Sequence, residues 1–377
     1  MSAEARTGLD AASSEPLHPA ARDVLLAALD QGYADPRRLH HDGRRARLLL
    51  DNAREVVAQS LQLRPDEVTF TSSGTEAVHR GLLGLHRARA RHGSTVLHSA
   101  VEHSAVHHAL RWAGVPTVEV PVTTTGQVTR DAVRTALGAS AAPVAVAAVQ
   151  HANHEVGTVH PVAGIAEELG EVPLFVDACA SAGRLPLPDG WAAAAASAHK
   201  WGGPAGVGLL LVRKGARWRN PFPEDDRVDP RSSGFENIPA ALAAAAALQA
   251  MVSEQQELGA RQSALVERVR SGVGALPDVE VVGEPSQRLP HLVTFSCLYV
   301  GGERLVTELD RLGFGVASGS ACTASTLAPS HVLAAMGALT HGNVRLSLGR
   351  SADSRAVEAL LSALPEVLER LRTEVGL

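Results

Sequence analysis

Between about Pro19 and Met251, short apolar runs of strand character alternate with helical stretches, and this alternation restricts the chain to an α/β architecture on a mainly parallel sheet. The spacing predicts a helix from His18-Pro19 to about Asp30 and a second over Arg44 to Ser60. A strand from Glu67 to Thr71 then enters the turn Ser72, Ser73, Gly74, and a third helix starts at Thr75. Further strands are expected at Thr95 to Ser99, Thr117 to Val120, Val144 to Val149, Leu174 to Val176 and Val207 to Val212. Short apolar strands of this kind are buried on both faces.

The Ala-rich run Ala241 to Ala250 continues with helical spacing towards Arg270, as a long connecting helix. Beyond it the character changes to a smaller α+β pattern. Strands are expected near Val279 to Val282, Leu292 to Ser296 and Asn343 to Leu348, with helices near Glu303 to Leu312 and Ser354 to Glu374. The expected division is a large domain over residues 17–251 and a small domain formed by 1–16 and 252–377, a length of chain that suits two domains sharing a substantial core.

Charge and cysteine usage narrow the functional classes. Lys and Arg total 35 against 40 Asp and Glu, a net charge of -5 spread along the chain, so there is no basic field for nucleic acid. The first residues lack a signal-peptide pattern, and the longest apolar run, Ile238 to Leu248, is too short for a bilayer, so a cytoplasmic protein without membrane contact is expected. Three cysteines, Cys179, Cys297 and Cys322, lie too far apart for a disulfide scaffold or a CxxC metal site. Cys322 falls in a run of small residues, 316–330, expected to be a mobile loop that ends with Ser330 capping a helix. An exposed thiol there can travel between sites, whereas Cys297 reads as core filling and Cys179 as a small residue near the site.

Ser197-Ala198-His199-Lys200, followed by a glycine-rich turn, is the strongest local signal. A lysine among small residues can be held out of bulk water, where its amine is able to form a Schiff base, although a surface lysine before a hairpin fits the tetrapeptide equally well. Asp177 stands at the carboxyl end of an apolar strand, suited to pair with a pyridinium nitrogen or, more plainly, to cap a helix. Gly74 and Thr75 lie where a strand turns into a helix and can hold a phosphate, a cup that Ser197 and His199 complete. Together these residues fit pyridoxal phosphate better than a nucleotide, since no GxGxxG follows the first strand and no GK[ST] occurs. His103 and His107 have the i,i+4 spacing of metal ligands, but with no carboxylate or thiolate in a recognised pattern beside them no metal is expected. His103 is read instead as an imidazole over the cofactor ring. Arg345, inside an apolar strand, is suited to grip a substrate carboxylate; for an internal salt bridge Arg350 is the better candidate.

The segments VEHSAV (101–106), HANHEVGT (151–158), VDA (176–178), SAHK, SGFENIP (233–239), SGSACT (318–323) and VRLSLGR (344–350) together resemble the cysteine desulfurases. The likeness is to the group I, iron–sulfur-assembly type within the class V aminotransferases, and it runs in order over nearly the whole chain. It implies a pyridoxal-phosphate fold of type I and a homodimer, with a Schiff base on Lys200, Asp177 at the ring nitrogen and His103 stacked on the ring. It further implies Asn153 near the ring hydroxyl or the substrate, phosphate contacts from Gly74, Thr75, Ser197 and His199, and Arg345 on the substrate carboxylate. L-cysteine would give alanine, with Lys200 moving the α-proton and Cys322 taking the sulfur as a persulfide for an acceptor protein. The chain departs from the family pattern at Ala11, His154, Ala180, Ser232 and Phe235. These departures keep open a C–S or selenocysteine lyase without a persulfide relay, or a degenerate paralogue that only binds the cofactor.

Overall fold

Consecutive residues of the central strands leave for opposite sides of one sheet, which is why those strands are apolar throughout. Val96, Val146, Phe175, Ala193 and Leu210 face one hydrophobic cluster, while Leu97, Ala147, Val176, Ala194 and Leu209 face another. The computed structural model describes residues 6–30, 34–224, 229–318, 329–374 and 376. It opens with β1 (Thr7–Gly8), α1 (Pro19–Asp30) and α2 (His41–Ser60). Helix α2 starts three residues before its expected position because the His40 side chain accepts the N–H of Gly43 and caps it. A 3-10 turn, Pro65–Glu67, then feeds β2 (Val68–Thr71) and α3 (Gly74–Arg89).

Next come β3 (Thr95–Ser99), α4 (Ser104–Ala113), β4 (Thr117–Val120), α5 (Arg130–Ala139), β5 (Val144–Ala148), α6 (Val162–Leu169) and β6 (Leu174–Asp177). Strands β7 (Ala193–Ser197) and β8 (Gly208–Val212) complete a seven-stranded sheet of order β2-β8-β7-β6-β5-β3-β4. Only β8 runs against the others, pairing antiparallel with both β2 and β7. The sequence pattern did not predict β7, since its AAAAS favours helix by propensity. Burial decides otherwise: small side chains let α3 lie close to the sheet, and a Cβ on Gly81 of that helix would come within 2.4 Å of the Phe175 ring.

Helix α7 (Ile238–Gly274) has 37 residues, about 55 Å of helix. Its first half packs in the core shared with α1 and α2, and its second half enters the core of the smaller sheet, so it ties the two together. That sheet is β9 (Val279–Val282), β10 (Leu292–Cys297) and β12 (Asn343–Ser347), antiparallel in the order β12-β10-β9. Helices α8 (Gly302–Arg311), α9 (His331–Met336) and α10 (Ser354–Thr373) accompany it. Strand β11 (Phe314–Gly315) pairs parallel with β1, which straps the N-terminal segment across the small sheet. Among the described residues no helix is long and apolar enough to cross a membrane.

Candidate active site

A cavity opens at the carboxyl ends of the central strands, where open α/β sheets bind ligands. Asp177, the last residue of β6, and Ser197, the last of β7, both line it, followed by His199 and Lys200 on the 3-10 turn Ala198–Lys200. Asp177 is buried, and its Oδ1 accepts the N–H of Cys179 at 2.9 Å. No helix follows Asp177, so the reading as a helix cap is corrected: the carboxylate closes a turn and faces the cavity. Cys179 lines the same wall, with burial first and Asp177 second pushing its thiol pKa well up. It is kept as a thiol.

Gly74 and Thr75 reach the cavity from the first turn of α3. A Cβ at Gly74 would stand 2.7 Å from the Ser197 Cβ, so only glycine leaves the cradle open there. Ser197 Oγ and His199 Nδ1 are hydrogen-bonded at 3.0 Å. Lys200 Nζ donates to the Ala12 carbonyl, which joins the N-terminal segment to the turn that carries the amine. His103 caps α4 through its Nδ1, which accepts the N–H of Ala105 at 3.1 Å, so a neutral ring keeps its proton on Nε2. Burial lowers its pKa, against the pull of Asp177. His107 instead meets His98 and His331 edge-on, each at 5.2 Å, and burial brings it down to about 4. The i,i+4 pair thus serves two different surroundings, and among the described residues no group of three His, Cys, Asp or Glu is placed to hold a metal ion.

Two residues stand in surroundings that the sequence did not predict, and neither Asn153 nor Arg345 is among those that line the cavity. Asn153 does not line the cavity: its Oδ1 accepts the N–H groups of Glu155 and Val156, each at 2.8 Å, and its Nδ2 donates to Val101 O at 3.1 Å. Its neighbour His154 lines the wall instead. The internal salt bridge, expected of Arg350, belongs to Arg345, whose guanidinium bonds Asp10 Oδ1 at 2.8 Å, Ser13 Oγ at 2.6 Å and His154 O at 3.0 Å. Arg350 only approaches Glu254, at 3.8 Å. Arg345 lies 3% exposed within β12, where burial demands partners, and the strap of residues around Asp10 supplies them. Cys297 is buried in β10, and burial raises its thiol to about 12, as core filling requires. Ser330 caps α9 as expected. Cys322 and most of the small-residue segment lie outside the described residues.

Sequence reasoning did not single out Gln150 or Glu102. Gln150 lines the cavity, and its N–H donates to Glu102 Oε1 at 2.8 Å, while its side chain donates to Val101 O. Glu102 is fully buried and accepts from Ser99 Oγ as well; desolvation pushes its pKa up to about 8, so at neutral pH it is a protonated acid behind the wall. Only its place beside His103 in VEHSAV could have drawn attention to it.

The donor set fits pyridoxal phosphate. A buried carboxylate, a glycine-opened helix start with hydroxyl and imidazole groups beside it, and a lysine all border one cavity. The class-V aminotransferase family profile matches residues 8–360. The chain is 36% identical to an "IscS-like cysteine desulfurase" of Mycobacterium tuberculosis, over 97% of this chain and 96% of that one. It is 31% identical to a "Cysteine desulfurase IscS" of Dictyoglomus turgidum, over 97% and 95%. A solved structure named a NifS-like protein superposes with a TM-score of 0.87 at 26% identity, covering 97% of this chain and 100% of its own. The chain belongs to the class-V aminotransferase family, in its cysteine desulfurase branch.

Proposed function

We propose that the chain is a pyridoxal-phosphate-dependent cysteine desulfurase that converts L-cysteine to L-alanine and passes the sulfur through Cys322 to an acceptor protein. The observation that carries this reading is the meeting of Asp177, Lys200, His103 and Thr75 around one cavity. In this reading Asp177 faces the ring nitrogen, Gly74, Thr75, Ser197 and His199 hold the phosphate, His103 covers the ring and Lys200 carries the cofactor. Bound there, the cofactor supplies an electron sink that loosens the α-proton of the substrate. Lys200 Nζ removes that proton and returns it. Arg345 orients the substrate carboxylate, giving up Asp10 to do so. Cys322 attacks as a thiolate: its Sγ bonds the substrate sulfur, the bond from that sulfur to the β-carbon breaks, and the electron pair left on the β-carbon takes up a proton to give the methyl of alanine. Residues 17–251 form the cofactor-binding domain, and 1–16 with 252–377 the small domain that bears Cys322. A second copy of the chain and the sulfur acceptor are its partners, in the cytoplasm.

The test mixes the purified protein with L-cysteine without reductant, quantifies alanine, and weighs the alkylated peptide that carries Cys322. Alanine together with one added sulfur atom on that peptide is expected. Alanine or pyruvate without the added sulfur would make the protein a lyase, and the formation of neither would sink the reading.

A further inference from the structure

Asn153 and His154 are consecutive and buried, yet only one of them meets the cavity. Asn153 spends its amide on Val101, Glu155 and Val156. His154 lines both the main cavity and a small side cavity next to Lys200, which Ala12, Ala180 and His291 help to wall. It is 7% exposed, and its Nδ1 has no hydrogen-bond partner among the described residues. A buried polar nitrogen in that condition beside a cavity is open to a partner from it, a ligand atom or a water. The ring is held in place: it meets His103 edge-on at 4.9 Å, and its own backbone carbonyl accepts from Arg345. Ala180, which borders both cavities with it, brings no polar side chain.

The chemistry of the cofactor says which atom comes here. The ring carbon that bears the aldehyde, the group that takes up a lysine amine, has the phosphate arm on one flank and a hydroxyl on the other. With the phosphate at Gly74, Thr75, Ser197 and His199, the hydroxyl flank faces the side cavity, and the residues that border both cavities with Lys200 are His154 and Ala180. We propose that His154 is the hydrogen-bond partner of the cofactor's ring hydroxyl, one of the two roles that the family resemblance gives to Asn153. Burial, with His103, Lys200, Arg345 and His331 around it, keeps the imidazole neutral. Glu155, whose Oε1 stands 3.6 Å from Nε2, is the acid that faces it, and burial raises that carboxyl too. A neutral imidazole has one N–H and one lone pair, so it serves the hydroxyl in either protonation state.

The inference rests on the cofactor assignment above, and its test reads binding and absorbance rather than turnover. Purified parent, His154→Leu and His154→Gln are stripped and reconstituted with pyridoxal phosphate, and the absorbance of the bound cofactor is titrated with pH. His154→Leu should bind about tenfold more weakly and shift the titration midpoint, while His154→Gln, which restores a polar group, moves both back towards the parent. Parent values in His154→Leu overturn the proposal, as does an equal shift in both variants, which packing alone would explain. Should the leucine variant not fold, the structure of the parent with its cofactor decides: a hydroxyl bonded to His154 supports the proposal, and one bonded to Asn153 overturns it. A parent that takes up no pyridoxal phosphate would overturn the functional reading itself, whereas uptake with unaltered variants overturns this inference alone.

Discussion

The two sides of the cavity handle buried charge in opposite ways. Behind the ends of β3 and β5, Glu102, His151 and His160 are acids and bases taken out of water and in no ion pair among the described residues. Desolvation drives each towards its neutral form, Glu102 up to about 8 and His151 and His160 down to about 4 and 3. Where the N-terminal strap crosses, the charges are paired: Arg345 with Asp10 and Arg184 with Glu15. Behind the cavity the buried proton holders are thus neutral, and around the strap the buried charges are paired. The first side is tuned by burial, the second by partners.

The sharpest way to break this contrast is to remove a partner. Arg184 and Glu15 are each 3% exposed at 2.7 Å, and Glu15 Oε1 also accepts the N–H of Arg350. Glu15→Ala leaves a guanidinium buried without its carboxylate and should cost about 3–5 kcal/mol in urea unfolding. A loss below about 1 kcal/mol, the worth of a surface pair, would show that pairing does not hold this side.

The unpaired side should reveal itself through pH. His151 and His160 have folded pKa values below their ordinary 6.5, so the unfolded chain binds more protons than the folded one, and stability is lost as pH falls below about 6.5. Glu102 has the opposite sign: its folded pKa of about 8 lies above the ordinary 4.5, so its contribution declines as pH rises through that interval. Unfolding midpoints should therefore climb to about pH 6.5 and then drift down towards 8, by at most about 1.4 kcal/mol per pH unit. Glu102→Gln should abolish the descending limb and leave the acid limb in place. A descending limb that persists in this variant would assign it to another group.

The same contrast explains what the sequence disclosed. Asp177, Gly74, Thr75 and Lys200 were legible because each sits at a strand end or a strand-to-helix turn, a local pattern of a few residues. Strand β7, which delivers Lys200, was not, because alanine's local preference is helical and only tertiary burial turns it into a strand. The pairing of Arg345 with Asp10 joins residues 335 positions apart, and no periodicity encodes it. Nor does spacing tell which of Asn153 and His154 faces inward, since that depends on the turn in which Asn153 binds Glu155 and Val156. Local chemistry is written in the sequence; the strap and the choice between neighbours are set by packing.

The pair at Arg345 gives the finest test, because it is only half closed. The guanidinium is 3% exposed while the Asp10 side chain is 34% exposed, so solvent screens one end of the bridge. In the proposed reaction the substrate carboxylate needs that guanidinium, and Asp10 occupies one of its nitrogens. The two carboxylates then compete, and the substrate must first displace an interaction worth about 1 kcal/mol. Asp10→Asn removes the charge but keeps an oxygen for Arg345, so KM for cysteine should fall about fivefold with kcat nearly unchanged. Arg345→Lys should raise KM, since an ammonium lacks the planar fork that fits a carboxylate. If Asp10→Asn raises KM as well, Asp10 aims the guanidinium instead of competing for it, and the paired wall is a positioning device before it is a binding one.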